Sequence, residues 1–524
     1  MIYTSRLDVA KASFIPNVFR LPVTRRWPVN LRPPGQRQLF VPRAVATSSS
    51  GQSAPEETEG FPLRKGDTIQ AKITRIAYGG AAVGEIVHPD NLLPADKLIP
   101  VYGPKGACPG DTIECNVTKV RRRKRDPEAY VVNNTGSTSS DTPTRTYAEV
   151  SFRKLLVPSP VTVQAPCAHF GNHHLGGGGC GGCTSMHITY SMQLEQKQRQ
   201  LESLFAVLKE EYGVADFAVI PCRDTLGYRN KMEFSYGRKW YTRPMKRETR
   251  LDATEPEYAL GLHAPQRFDK VVSITECHIQ PSVANKILNF VREEAQRLLL
   301  EPYDTKQDTG YLRNIAIRTS TNSKGQIEVM VNIITSPCDV PNRLKPLAQS
   351  IKYTFPEVVC VLQNLRGVKS SFSVDESQER LLTGDRRYIE QELCGLTFRI
   401  SANSFFQTNA DQAEVLYENV RRAAKLTPDD VVLDLFCGTG TISLCLARSA
   451  KQVYGIDVVA AAINDARKNA LVNRITNATF EEGNLDKLKS SKGTKALLEP
   501  DVIVVDPRAQ GYIQIWSSIS QVLK

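Results

Sequence analysis

The sequence predicts a multidomain α/β protein with a small OB-like β-barrel, a central α+β region and an incomplete Rossmann-like parallel sheet. Its 524 residues exceed what one hydrophobic core ordinarily supports. Short alternating apolar and polar runs between residues 66 and 132 are typical of half-buried strands. After residue 404, strand and helix patterns alternate, as they do in parallel sheets. We therefore expect domains at residues 62–133, 147–400 and 401–524.

The composition excludes several classes of protein. Hydrophobic residues make up 41% and charged residues 23% of the chain, which is ordinary for a globular protein. No apolar run approaches the ~20 residues that a membrane-spanning helix needs, so we expect no membrane partner. Twelve cysteines are too few for a disulfide scaffold of this length, so we expect free thiols or metal ligands.

Residues 1–50 differ from the rest of the chain in charge. They hold eight basic residues and one acid, so they carry +7 of the net charge of +12 and leave the remainder mildly basic. The segment ends in Ser, Thr and Ala and has no apolar core suited to secretion. It is predicted to be an organellar transit peptide, for the chloroplast rather than the mitochondrion because of its Ser-rich end. A disordered basic tail is the alternative.

The predicted barrel begins with residues 69–76, which alternate as a strand does, and continues through a glycine-rich turn. A later strand at 113–117 leads into five consecutive cations. This spacing predicts a small barrel, and the region resembles a TRAM domain, which is found on RNA-modifying enzymes. The cations are expected either to follow RNA phosphates or to form a solvated loop. They are Arg121, Arg122, Arg123, Lys124 and Arg125.

The apolar run 431–435 predicts a strand buried on both faces of a parallel sheet. It leads into residues 436–441, called the glycine loop below, where Gly438 and Gly440 allow a tight turn and close approach to a ligand. The next strand ends at Asp457, whose carboxylate is suited to ribose hydroxyls. The string Asp-Leu-Phe-Cys-Gly-Thr-Gly, followed by Gly-Ile-Asp, resembles S-adenosylmethionine-dependent methyltransferases rather than dinucleotide-binding proteins.

Two further segments extend this resemblance. Residues 502–506 predict another strand with a terminal acid, so Asp434, Asp457 and Asp506 are expected to rim one pocket at the carboxyl ends of the strands. Residues 404–409, Ser-Phe-Phe-Gln-Thr-Asn, are called the SFFQTN segment below. They are similar to a signature of the family that makes 5-methyluridine in RNA. The resemblance runs from residue 62 to residue 508.

The resemblance implies a binding site for S-adenosylmethionine. Its residues would be Gln407, Phe436, Gly438, Gly440, Thr441, Asp457, Asn484 and Asp506. Two positions depart from the family. Asp457 stands where the family usually has glutamate, a change that keeps the carboxylate. The family's Asp-Pro-Pro-Arg appears here as Asp506-Pro507-Arg508, one proline short.

Cysteines of the central region suggest a metal centre. Cys167, Cys180 and Cys183 are spaced C-x12-C-x2-C, and Cys277 lies far downstream. Two thiolates on a glycine turn suit both zinc and iron–sulfur sites. Four such cysteines hold a [4Fe–4S] cluster in the 5-methyluridine family, so the resemblance implies that cluster. A zinc ion completed by His173 or His174, and unligated thiols, are the alternatives.

One more segment combines basic and aromatic residues, as surfaces that contact RNA often do. Arg229 and Lys231 lie among aromatic residues in the string Gly-Tyr-Arg-Asn-Lys-Met-Glu-Phe. Such charges belong either to an ordinary exposed strand or to a surface that touches RNA. The family resemblance favours RNA.

The family's chemistry needs two further groups. Carbon 5 of uracil is a poor nucleophile, and the family activates it by adding a cysteine thiolate to carbon 6 before a general base removes the C5 proton. That cysteine and a glutamate follow the Asp-Pro-Pro-Arg strand in the family, whereas residues 507–524 contain no cysteine. We therefore expect a C-terminally truncated form without catalytic residues of its own, inactive as written, with Val502–Val505 as an open apolar edge.

The predicted function is methylation of uridine carbon 5 in ribosomal or transfer RNA by a monomer. The alternative is a non-catalytic RNA-binding protein with a metal-cluster domain. Methylation of an exocyclic nitrogen is disfavoured, because Arg508 stands where that chemistry favours an aromatic residue.

Overall fold

The computed structural model describes residues 18–20, 63–77, 79–87, 100–103, 106–123, 145–171, 179–212, 218–238, 258–265, 267–304, 307–338, 340, 342–367, 379–483 and 500–506. Within these ranges, every helix is too short or too polar to cross a bilayer. Most of the predicted transit peptide lies outside them, as do Lys124, Arg125 and Asn484.

Between residues 404 and 482, helices and strands alternate as the sequence analysis predicts. The strands are β1 Val18–Arg20, β2 Thr68–Ile76, β3 Ala82–Ile86, β4 Pro100–Gly103, β5 Thr112–Arg123, β6 Arg145–Val157, β7 Lys231–Arg238, β8 Tyr258–Ala264, β9 Arg267–Ser273, β10 Leu312–Thr321, β11 Ile327–Thr335, β12 Val358–Leu365, β13 Arg380–Gly384, β14 Tyr388–Leu393, β15 Leu396–Ser401, β16 Val431–Leu435, β17 Gln452–Asp457, β18 Ala478–Glu482 and β19 Val502–Val505. The helices are α1 Tyr190–Tyr212, α2 Ser282–Arg297, α3 Lys345–Thr354, α4 Ala410–Ala424, α5 Thr441–Ala447 and α6 Ala460–Val472.

The first domain is a closed five-stranded barrel in the order β2-β3-β4-β6-β5, which confirms the predicted small barrel. Alternate residues of β2, Ala71 and Ile73, point into its core. The predicted boundary at residue 133 is wrong, because β6 returns after the polar linker and pairs with nearly the whole of β5. A polar stretch in the sequence marks a long connection here rather than the end of a domain.

The central domain is a seven-stranded sheet in the order β13-β12-β11-β10-β7-β8-β9. Helices α2 and α3 cover one face through an apolar core that includes Ile287 and Leu347. The opposite face, through Met330, Cys360 and Leu362, packs against the third domain. Both faces are therefore covered, and nearly all residues of β11 and β12 are buried.

The third domain is a mainly parallel sheet in the order β1-β19-β16-β17-β18. The β14–β15 hairpin packs on its helix α6, since Asn473 and Asn469 bond the backbone of Thr397 and Arg399. The hairpin therefore shares a core with this domain, although the predicted boundary at residue 400 assigns it to the central one. The same core also includes Met330 and Leu362 of the central sheet, so residue 400 does not separate two cores.

Strand β19 is paired on both sides. It runs parallel to β16 and antiparallel to β1, with Phe19 opposite Ile503. The expectation of an open apolar edge at β19 is wrong for this structure, because three residues of the predicted transit peptide occupy that edge. Import of residues 1–50 into an organelle stays a prediction.

Candidate functional site

The glycine loop has the strained backbone that its sequence requires. Phe436, Gly438 and Gly440 have φ angles of 67°, 54° and 78°. A side chain at Gly440 would lie 2.9 Å from the Phe480 ring, whereas nothing lies within 4 Å of the corresponding point at Gly438. One glycine is therefore needed for packing, and the other leaves open space beside the loop, as a ligand-binding loop should.

Asp457 fixes the position of this loop. Its carboxylate accepts hydrogen bonds from the N–H groups of Gly438, at 3.0 Å, and of Val459, at 2.9 Å. Thr441 begins α5 and its hydroxyl lies 3.0 Å from that of Tyr417. The loop is therefore held at the carboxyl ends of β16 and β17, where ligands bind in such sheets.

Asp434 and Asp506, at the carboxyl ends of two neighbouring strands, differ in how deeply they are buried. Asp434 is only 1% exposed, so the prediction that it rims the pocket is wrong. The hydroxyl of Ser443 donates to it, and burial raises its pKa to about 7, with nearby Asp506 adding to the effect. Asp506 itself is half-buried, and burial raises its pKa. Asp434 therefore supports the loop from beneath.

The SFFQTN segment lies against the glycine loop. The hydroxyl of Thr439 reaches the carbonyl of Phe405 at 3.5 Å. Phe405 is 61% exposed, whereas Phe406 is buried in the core. Gln407 is half-buried. The structure thus brings the segment and the loop together and leaves one aromatic ring of the segment open to solvent.

The central domain fixes the SFFQTN segment from the other side. Asn230 donates its backbone N–H to the carbonyl of Thr408 at 2.8 Å and its side-chain amide to that of Gln407 at 3.0 Å. Arg318 donates to the carbonyl of Ser404 at 2.7 Å. These bonds join β7 and β10 to the segment, so the central domain sets its backbone path.

Arg318 is a residue that sequence reasoning missed. It is 4% exposed, none of the described carboxylates forms an ion pair with it, and burial lowers its pKa to about 10. A buried cation without a counter-ion is costly, so the bond to the Ser404 carbonyl is important for its charge. The signal in the sequence was a charge directly after the apolar run Ile-Ala-Ile of β10.

The basic residues that are expected to contact RNA differ in burial and in their partners. Arg229 and Lys231 are half-buried beside Arg318, and the pKa of Lys231 is lowered by burial and then by Arg318. Arg121 lies within β5 rather than in a loop, and it forms an ion pair with Glu149 at 2.6 Å. Arg122 and Arg123 also belong to β5, although their side chains lie outside the described residues.

The four predicted ligand cysteines converge. Cys167, Cys180, Cys183 and Cys277 line one small cavity, called the cysteine cavity below, together with Leu262 and Ile274. The turn between two of them needs its glycines, because a side chain at Gly181 would lie 2.7 Å from a backbone oxygen. Burial raises the pKa of Cys180 to about 12 and that of Cys183 to about 11. No group of three His, Cys, Asp or Glu side chains in the described ranges is arranged to hold a metal ion.

A groove of about 630 Å³ runs between the central domain and α4. Asn230 and Asn409, the last residue of the SFFQTN segment, line this groove, and Tyr228 contributes an aromatic ring. Acidic side chains also line it, namely Asp224, Glu392, Asp411 and Glu414. The groove is therefore close to the glycine-loop site, but its carboxylates would repel a phosphate.

Comparison with known proteins agrees with this geometry. A family model described as a methyltransferase domain matches residues 426–514. An uncharacterized RNA methyltransferase of Chlorobaculum tepidum is 33% identical over 459 residues, which cover 87% of this chain and 86% of that protein. Another, of Porphyromonas gingivalis, is 35% identical over 77% of this chain and 80% of its own length.

A solved structure shares the fold. The tRNA (uracil-54, C5)-methyltransferase of Pyrococcus abyssi, in complex with S-adenosyl-L-homocysteine, is 23% identical, covers 79% of each chain and gives a TM-score of 0.52. The bacterial relatives match most of this chain at 30% identity or more. The chain therefore belongs to the family of RNA methyltransferases.

Proposed function

We propose that this chain is built to transfer a methyl group from S-adenosylmethionine to carbon 5 of uridine in ribosomal or transfer RNA. One observation carries the proposal. The glycine loop, typical of the donor site, contacts the SFFQTN segment through Thr439 and Phe405. The uracil specificity draws support from that segment and from the likeness to the P. abyssi enzyme.

The donor would be held by the glycine loop and the acids around it. S-adenosylmethionine supplies an electrophilic methyl group when it is bound. Asp457, at the end of β17, has the position in which a carboxylate binds ribose hydroxyls. Gly438 leaves open space on the ligand side of the loop. Asp506, directly after β19, and Gln407, in the SFFQTN segment, would close the same region.

The acceptor base would stack on Phe405. Exposed aromatic rings commonly stack unpaired bases in RNA-binding sites, and this ring is open to solvent beside the donor loop. Activation of carbon 5 requires a thiolate at carbon 6. Cys437 of the glycine loop is unsuited to that role, because it is buried and burial raises its pKa.

The barrel and the central domain would hold the RNA outside this site. The closed barrel supports the TRAM assignment, and its cationic run from Arg121 is proposed to follow the phosphate backbone. Arg229 and Lys231 lie between the SFFQTN segment and the cysteine cavity. We propose that they contact the RNA next to the target base.

We propose a [4Fe–4S] cluster for the cysteine cavity, with zinc as the alternative. Four cysteines line this cavity, and four is the number of thiolates that such a cluster takes. Zinc would need its sulfur ligands about 2.3 Å from one centre. Iron content and visible absorption of anaerobically purified protein, compared with Cys180→Ala and Cys183→Ala variants, test the assignment.

A transfer assay tests the proposed function. The chain and the C. tepidum relative are each incubated with uridine-containing RNA and tritium-labelled S-adenosylmethionine, and nucleosides are separated after digestion. We expect both proteins to bind S-adenosylmethionine and RNA. In the reaction with the C. tepidum relative, we expect the label in 5-methyluridine. If label appears instead in another nucleoside, the uracil-C5 assignment is wrong. Asp457→Ala should abolish donor binding in this chain.

The location of the protein is a separate proposal. We propose import into chloroplasts, from the basic, Ser-rich composition of residues 1–50. A fusion of these residues to a fluorescent protein would accumulate in chloroplasts, whereas mitochondrial accumulation would support the alternative.

A further inference from the structure

The turn between β14 and β15 contains an unusual residue. Leu393 and Leu396 pair directly, so Cys394 and Gly395 form a two-residue hairpin turn, with φ angles of 53° and 66°. Such turns favour Asn, Asp or Gly at the first position, because a side chain there is strained. Cysteine is not among the favoured residues, so the hairpin alone does not account for Cys394.

The turn is fixed against two helices of the third domain. Arg448, at the end of α5, donates to the carbonyls of Cys394 and Gly395, at 3.3 Å and 2.8 Å. The backbone N–H of Cys394 donates to Glu414 of α4 at 2.7 Å. Cys394 is therefore held beside the last turn of α5 by bonds that do not involve its own side chain.

A second cysteine lies in that last turn. Cys445 lies three residues before Arg448, on the same side of α5, so the bonds from Arg448 to the turn bring the Cys445 thiol next to that of Cys394, and the two thiols interact. Both side chains are half-buried at the edge of the same apolar core. Their interaction shifts the pKa values of the two thiols in opposite directions, and burial raises that of Cys445. The two thiols are therefore placed to react with each other.

We propose that Cys394 and Cys445 are a site of reversible disulfide modification, with a peroxide as the oxidant. Neither cysteine belongs to the cysteine cavity, and neither has a part in the proposed methyl transfer. The proposal rests on the strained turn, the bonds from Arg448 and the contact between the thiols.

The reaction balances with one peroxide. The thiolate of Cys394 attacks one peroxide oxygen, the O–O bond breaks, and hydroxide leaves and is protonated to water. Cys445 then loses its proton and attacks the resulting sulfenic sulfur, the S–O bond breaks, and a second water leaves. Two thiols and hydrogen peroxide thus give one disulfide and two waters. A dithiol reductant reverses the modification by exchange.

The disulfide would join the hairpin turn to α5. Helix α5 begins at Thr441, directly after the glycine loop, and the hairpin packs on α6. A covalent link would therefore hold the two elements that flank the proposed donor site. We expect the oxidised chain to unfold at a higher temperature than the reduced chain.

Mapping of free thiols tests the site. The full chain is treated with hydrogen peroxide, free thiols are alkylated, and peptides are identified by mass spectrometry before and after dithiothreitol. We expect a peptide pair joined through Cys394 and Cys445, the loss of both from the alkylated set, and their return on reduction. Cys338 is exposed, so its oxidation shows that the peroxide has reacted with the chain. If Cys394 and Cys445 are both still alkylated at that point, the proposal is overturned.

Two substitutions keep the test independent of folding. Cys394→Asn removes one thiol and places a favoured residue in the turn, so the variant should fold at least as well as the parent. It should show no peroxide-dependent rise in its unfolding temperature, whereas a matched Cys338→Ser variant should keep the rise. A rise that persists in Cys394→Asn would show that another pair is responsible.

Discussion

At the scale of single residues, the two glycines of the glycine loop have different tasks. Gly440 is packed against Phe480 and Ala466, whereas Gly438 faces open space. Both have positive φ angles, so any side chain costs about 1–2 kcal/mol at either position. Only at Gly440 would an added side chain also collide with neighbouring residues.

Alanine substitutions would separate these tasks. We expect Gly440→Ala to lower the free energy of unfolding more than Gly438→Ala does, because only the former collides with Phe480. Gly438→Ala should weaken binding of S-adenosylmethionine more than it weakens the fold. Urea unfolding and calorimetric titration measure the two effects, and a reversed order would contradict this account of the loop.

Asp434 gives a prediction about pH. Its pKa is raised from 3.8 to about 7 in the folded chain, chiefly by burial, so folding favours the protonated form. The associated stability is fully present below the unfolded pKa and is lost as the pH rises through 7. The loss is on the order of a few kcal/mol.

Asp434→Asn isolates this titration, because the amide can still accept the hydrogen bond from Ser443. Relative to the variant, the parent chain should lose stability between pH 4 and pH 7 and change little above that range. Thermal unfolding across this range measures the difference. A constant difference between the two proteins would show that Asp434 is already ionised in the fold.

At the scale of elements, α4 depends on its first residues. Asn409 ends the SFFQTN segment and caps the helix, since its side chain accepts the N–H of Gln412 at 3.0 Å. The capping residue thus joins a predicted binding segment to the helix that carries Glu414. The cap therefore sets where the helix begins relative to the segment.

Loss of this cap should have a defined effect. Asn409→Ala is expected to lower the free energy of unfolding by about 1 kcal/mol, while Asn409→Asp, which can still accept the bond, should retain most of the stability. Chemical denaturation of the three proteins provides the comparison. Equal destabilisation by both substitutions would mean that the amide group, which also contacts Cys222, is the important part.

At the scale of the whole molecule, the apolar cores do not follow the predicted domains. One core joins the central sheet, through Leu362 and Met330, to the hairpin and the parallel sheet. The barrel has a core of its own that includes Ile113. We therefore expect the central and third domains to unfold together and the barrel to unfold separately.

Two core truncations test this division. Leu362→Ala and Ile113→Ala should each cost about 2–5 kcal/mol in the unit to which they belong. Hydrogen exchange should rise across both larger domains in Leu362→Ala, and only across the barrel in Ile113→Ala. Faster exchange throughout the chain in Ile113→Ala would show that the barrel does not unfold on its own.

The sequence by itself determined the features that depend on near neighbours. The strand, glycine loop and helix at residues 431–447 follow from an apolar run and two glycines, and the structure has them as predicted. Asp457 is the last residue of its strand, as predicted. Such features need only the local backbone preferences of adjacent residues.

Only the tertiary structure decided the features that join distant residues. It brought β6 into the barrel, buried Asp434, placed Arg318 on the carbonyl of Ser404 and set Cys394 beside Cys445. Each of these contacts depends on how strands pair and helices pack over long separations in the chain. The pattern along the sequence does not contain that information, because polarity at one position does not specify its partner across the fold.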